Sequence, residues 1–126
     1  MKKILVVDDE EDFLQMLDKR LTVSGYSVVT ANNGKDAIAL AKSQHPDIII
    51  LDILMPQMDG WWVAEDLKER PSTRNIPLIL LTAMLSKEDE EKYHSMFGGH
   101  IALAKPIDAE KLLEQIKKLL CDTAAL

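Results

Sequence analysis

A chain of 126 residues, 47% apolar and 29% charged, suits one domain and buries roughly 65% of the surface its unfolded form exposes, without a disulfide or structural metal. Its formal charge of −6 argues against nonspecific nucleic-acid binding, which needs a basic footprint. The single cysteine, Cys121, cannot form an internal disulfide, no Cys/His set has zinc spacing, and a reducing cytoplasm is the expected setting.

After Met1-Lys2-Lys3 comes the apolar run Ile4 to Val7. It is too short for a signal-peptide core or a membrane span, and reads as a first strand. Glu11 to about Ser24 reads as a helix, with Phe13, Leu17 and Leu21 on one face and Gly25 as its left-handed stop. Val28-Val29 marks a second strand. A second helix follows Asn32-Asn33 and ends before His45-Pro46. Ile48 to Leu51 is a third strand, and a third helix follows Gly60 and ends near Arg70-Pro71. Leu78 to Leu81 is a fourth strand. A fourth helix opens at Ser86, with Glu88, Asp89 and Glu90 at its positive end, and stops at Gly98-Gly99. Ile101 to Ala104 is a fifth strand. The last helix opens at Asp108 and turns Leu112, Leu113, Ile116, Leu119 and Leu120 inward.

The first, third and fourth apolar runs are continuous rather than alternating, as in strands buried on both faces of a parallel sheet. Strict alternation of five strands with five helices predicts right-handed crossovers and helices on both faces. We therefore expect one α/β domain over residues 1–126, with a core of about 3–120 and a tail of 121–126. Alternation does not fix strand order; a flavodoxin-like order of 2-1-3-4-5 makes strands 1 and 3 neighbours, which the chemistry requires. Ligands of such sheets bind beyond the carboxyl ends of the strands, at the point where strand order reverses.

Asp8 and Asp9 directly follow strand 1, and Asp52 directly follows strand 3. Side by side, these carboxylates repel, and a divalent cation is the usual remedy. Oxygen ligands with water completing an octahedron favour Mg²⁺. Read alone, Asp8 to Asp12 is equally well an acidic cap on the first helix. Asp52 sits among apolar residues, where an ionised carboxylate is costly unless paired. Strand 4 ends in Thr82-Ala83 and strand 5 in Lys105-Pro106. A hydroxyl and an ammonium there can grip the oxygens of a phosphate.

Together, Asp8-Asp9, Asp52 in IIILDILMPQMDG, Thr82-Ala83 in PLILLTA and Lys105-Pro106 in ALAKPID resemble the receiver domains of two-component response regulators. The likeness runs from about Lys3 to Leu120. It implies a flavodoxin-like fold and Asp52 as phosphoacceptor, with Thr82 and Lys105 contacting the phosphoryl group. It implies Mg²⁺ held by Asp8, Asp9, Asp52 and the backbone carbonyl of Leu54, and a cis peptide between Lys105 and Pro106. The implied partner is a sensor histidine kinase or a histidine phosphotransfer protein, with no direct nucleic-acid or membrane contact. The implied activity is self-catalysed phosphoryl transfer with slow self-dephosphorylation, rather than that of an enzyme acting on a separate substrate.

Several positions depart from the family. Ala102 replaces a common Tyr or Phe three residues before the lysine, so the aromatic switch of many receivers is missing. Leu54 and Met84, two places after Asp52 and Thr82, flank the path of a hydrolytic water. Leu14 stands where relatives usually have a polar residue and, if exposed, would anchor a partner; Trp62 stands where an acid is common. His45, His94 and His100 read as surface residues rather than ligands. Three other readings stand beside the receiver switch. The chain is a module of a longer regulator or hybrid kinase, a pseudo-receiver that binds partners without phosphorylation, or a phosphatase using Asp52 as nucleophile. The last requires a second Asp two residues on, where Leu54 stands. The lack of GxxxxGK[ST] argues against a P-loop enzyme.

Overall fold

A computed structural model of the chain describes residues 1–55, 58–83 and 101–124. The elements are β1 (Lys3–Val7), α1 (Glu11–Val23), β2 (Ser27–Ala31), α2 (Gly34–Gln44), β3 (Ile48–Asp52), β4 (Leu54–Met55), β5 (Met58–Asp59), α3 (Gly60–Glu69), β6 (Leu78–Thr82), β7 (Ile101–Ala104) and α4 (Ala109–Ala124). Five parallel strands form one sheet in the order β2-β1-β3-β6-β7. Counting only these five, the order is 2-1-3-4-5, as expected. The helix expected from Ser86 to Gly98 lies outside the described residues, and the other four are present. A two-stranded antiparallel hairpin, β4-β5, occupies the segment between β3 and α3 that the sequence suggested only as a connecting loop.

Strand side chains alternate faces, and both faces of this sheet are covered. Leu5, Val7, Ile49, Leu51, Leu78, Leu80 and Ala102 pack with Ala37, Ile38 and Ala41 of α2 and Val63, Ala64 and Leu67 of α3. Ile4, Val6, Ile48, Ile50, Ile79, Leu81 and Leu103 pack with Leu14, Leu17 and Leu21 of α1 and Leu112 and Ile116 of α4. This double burial is why the central strands read as unbroken apolar runs. Both β3 and β6 are buried along their whole length.

The helix ends follow their local chemistry. The Asn33 side chain accepts a hydrogen bond from the Asp36 backbone N–H at 2.8 Å, capping α2. Asp108 Oδ1 accepts from the backbone N–H of Glu110 at 3.1 Å and of Lys111 at 3.3 Å, doing the same for α4. Gly25 takes φ +99° just past α1, a conformation that costs an L side chain but not glycine. Among the described residues, no helix is long and apolar enough to cross a membrane.

Candidate functional site

The register of the sheet brings four polar residues to one edge. Val7 pairs with Leu51, Asp52 with Leu81, and Thr82 with Ala104. Asp8, Asp52, Thr82 and Lys105 therefore sit at the carboxyl ends of four adjacent strands, where the order reverses between β1 and β3. Asp8 is fully buried, Asp52 is 3% exposed and Thr82 is fully buried. The backbone holds them firmly: the Asp8 N–H donates to Ala31 O at 3.1 Å, the Ile53 N–H to Leu81 O at 3.1 Å, and the Lys105 N–H to Thr82 O at 3.0 Å.

Burying two carboxylates in an apolar sheet requires a countercharge. Lys105 supplies it. Its Nζ donates to Asp8 Oδ2 at 2.7 Å and to Asp52 Oδ2 at 3.1 Å, and lies 3.8 Å from Glu10 Oε1. Burial pulls the lysine's pKa down, but the hydrogen bonds and negative charge of Asp8 and Asp52 outweigh it and leave the value raised. The ammonium also lies over the Phe13 ring, 4.6 Å from its centroid. The Lys105–Pro106 peptide is cis, as the family likeness implies.

Asp8 Oδ1 accepts from the Glu10 backbone N–H at 2.9 Å, which turns the chain sharply after β1. The carboxylates of Asp8, Asp9 and Glu10 come within 4.8 Å of one another, close enough to share a metal ion. An all-oxygen set with one buried member, Asp8, and two exposed members fits a hard cation that keeps much of its water. Mg²⁺ is such a cation. The expected set named Asp8, Asp9, Asp52 and the backbone carbonyl of Leu54; among the described residues the acidic group within 4.8 Å holds Asp8, Asp9 and Glu10 and not Asp52, which is tied to Asp8 through Lys105. The backbone of Leu54 lies two residues beyond Asp52, at the start of the short hairpin.

Gly60 lies against the backbone of Asp52 and Ile53. A Cβ at Gly60 would meet the Ile53 backbone and stand 2.6 Å from the Asp52 carbonyl oxygen. This close approach, rather than a special φ, explains glycine at the start of α3. Trp61 packs against the core and Trp62 is 51% exposed. Leu14 is 3% exposed, so the suggestion of a docking anchor there is corrected. It faces the sheet beside Leu17 and Leu21, and the exposed apolar residue of α1 nearest the site in sequence is Met16. His45 is an exposed helix-end residue with φ 48°, as expected of a surface position. His94, His100 and Met84 lie outside the described residues.

Two residues of this neighbourhood escaped the sequence reading. Glu10 was legible only as part of an acidic helix cap. Phe13 was legible only as an inward face of α1, because its contact with Lys105 joins positions far apart in the chain.

Comparison with known proteins agrees with this geometry. The model of the response regulator receiver domain family matches residues 4–117. The chain is 42% identical over 117 residues to the response regulator PleD of Caulobacter vibrioides, covering 93% of this chain and 26% of that protein. It is 35% identical over 122 residues to the polar-differentiation response regulator DivK of Brucella ovis, covering 96% of this chain and 98% of DivK. Among solved structures, the chemotaxis protein CheY4 of Vibrio cholerae superposes with a TM-score of 0.82 at 32% identity, over 94% of this chain and 98% of that one. The chain thus spans about a quarter of PleD and nearly all of DivK. It belongs to the response regulator receiver domain family.

Proposed function

We propose that this chain is a single receiver domain, with its core over about residues 3–120, that accepts a phosphoryl group on Asp52. The donor is a phosphohistidine of a sensor kinase or histidine phosphotransfer protein, and the setting is the cytoplasm. The observation that carries the reading is the Lys105 ammonium bonded at once to Asp8 and Asp52, with Thr82 buried at the end of the adjoining strand. That arrangement provides a nucleophile, a cation to receive developing phosphoryl charge and a hydroxyl donor in one crevice.

Asp8, Asp9, Asp52 and the Leu54 carbonyl would hold Mg²⁺, with Glu10 beside them. When bound, the ion supplies positive charge to the non-bridging phosphoryl oxygens. Asp52 attacks phosphorus through a carboxylate oxygen. The new P–O bond forms as the P–N bond to the donor imidazole breaks, and the departing imidazole nitrogen takes up a proton. Lys105 exchanges its Asp52 contact for a phosphoryl oxygen, and Thr82 donates its hydroxyl to another. Water later hydrolyses the acyl phosphate slowly. The donor protein approaches across α1, where a cavity of about 490 Å³ borders Lys105 and is lined by Phe13, Met16, Pro106 and Ile107.

Incubation with acetyl phosphate and Mg²⁺, followed by intact mass, tests the reading. We expect one added phosphoryl mass in the native chain and none in Asp52→Asn, whose fold should persist. Normal labelling of Asp52→Asn would remove Asp52 as acceptor. A native chain that fails to label where another receiver does would favour a phosphorylation-independent binding module.

A further inference from the structure

We propose that Phe13 is a positioning residue for the phosphoryl-transfer site, its ring face holding the Lys105 ammonium between Asp8 and Asp52. The proposal rests on the reading of Asp52 as phosphoacceptor. A lysine stem has four flexible carbons, so the end of the chain is poorly fixed unless something besides its acceptors holds it. In this site the acceptors must change: Lys105 bonds Asp8 at 2.7 Å and Asp52 at 3.1 Å, and has to give up one carboxylate oxygen for a phosphoryl oxygen. An additional carboxylate would hold the lysine only by claiming one of its three N–H groups. Glu10, 3.8 Å away and 69% exposed, is within ion-pair range but beyond hydrogen-bond reach.

An aromatic face attracts the same charge without accepting a conventional hydrogen bond. Phe13 is placed to do so, with its centroid 4.6 Å from Nζ, within the range where a cation and a ring quadrupole attract. The ring is itself held by the α1–α4 side of the core and forms part of the cavity wall beside Lys105. It therefore presents a packed apolar surface to a cation that has to exchange partners. The first helix places Phe13 one turn beyond the Asp8-Asp9 pair, so the segment that carries the acids also carries the support for the lysine that neutralises them.

The competing explanation is that Phe13 only fills space at the edge of the core. Progressive ring fluorination at position 13 separates the two, because fluorine drains charge from the ring face while changing its shape little. In the full chain, with acetyl phosphate and Mg²⁺, we expect the labelling rate to fall with each added fluorine, by about threefold to tenfold across a series from none to three. The thermal midpoint should stay constant, and Phe13→Trp should retain the native rate. Fluorinated chains that label at the native rate would overturn the proposal. A second measurement needs no labelling: the Lys105 ε-methylene protons should be shifted upfield by the ring in the native chain, relative to Phe13→Leu. Equal shifts in the two proteins would also overturn it. Failure of the native chain to label, with the ring shift present, would instead strike at the acceptor reading.

Discussion

At the scale of the residue, Lys105 ties the site together and carries its electrostatic risk. Removing it leaves Asp8 and Asp52 buried with like charge. Loss of one partner from such a buried set costs about 3 kcal/mol or more. Lys105→Met should therefore destabilise the metal-free protein by about that much in urea, and by clearly less in saturating Mg²⁺, because the ion takes over part of the countercharge. An equal loss with and without Mg²⁺ would show that the ion does not share the crevice with Lys105. The pH dependence has a definite sign. Because the lysine's folded pKa is raised, its contribution to stability is complete below the unfolded value of about 10.4 and is lost as pH rises through the higher folded value. In metal-free buffer, the urea midpoint of the native chain should drop above about pH 10.4, and Lys105→Met should lack that component. A native midpoint no more pH-dependent than the variant's would contradict the ion-pair assignment.

At the scale of the element, α3 begins in close contact with the end of β3. Gly60 lies against the Ile53 backbone and the Asp52 carbonyl, and its N–H donates to Ile53 O at 3.3 Å. Gly60→Ala must push α3 away from the end of β3. We expect a loss of about 1–3 kcal/mol, the range for overpacking a close contact, together with slower labelling of Asp52. A fully stable, normally labelled Gly60→Ala would show that this approach is relaxed in solution.

The elements differ in how openly the sequence declared them. The strands were legible because Ile48 to Leu51 and Leu78 to Leu81 are buried on both faces, which leaves no polar residue to interrupt the run. Gly25, Asn33 and Asp108 marked helix ends through side-chain chemistry that acts within a few residues. Strand β2 was legible only at Val28-Val29, because Ser27 and Thr30 extend it by pairing with β1 rather than by hydrophobic pattern. The hairpin β4-β5 gave no such pattern, its strands being two residues each. The site's four strand-end residues could be placed because strand ends converge in this topology. Leu14's burial and the contact of Phe13 with Lys105 depend on how α1 rotates against the sheet, a tertiary outcome that helical periodicity leaves loose.

Strand β7 also limits how the domain transmits its state. Ala102 is 2% exposed, pairs with Leu80 and packs with the α2–α3 side of the core. A methyl group has no rotamer to change. On activation with beryllofluoride, amide shifts should be largest over residues 52–60 and 82–90 and smaller over 101–103. A largest response on β7 would place the output route there instead.

At the scale of the whole molecule, two cores share one sheet. The α2–α3 side and the α1–α4 side are each built on alternate residues of the same central strands, so neither can be completed without ordering the strands of the other. We expect one cooperative unfolding transition, the behaviour usual for a domain of this size. Near-ultraviolet signal from Trp61 and backbone ellipticity should therefore fall together in urea. Separate midpoints would show that the two sides come apart independently.

The placement of the site has a consequence for the life of the chain before it is finished. Asp8 and Asp52 leave the ribosome well before Lys105, and the two acids have no shared ammonium until the fifth strand of the sheet has docked. On the proposed reading, an emerging chain thus carries Asp52 before the cation that would let it take a phosphoryl group. We therefore expect a nascent chain that stops before Lys105 not to label on Asp52 with acetyl phosphate and Mg²⁺.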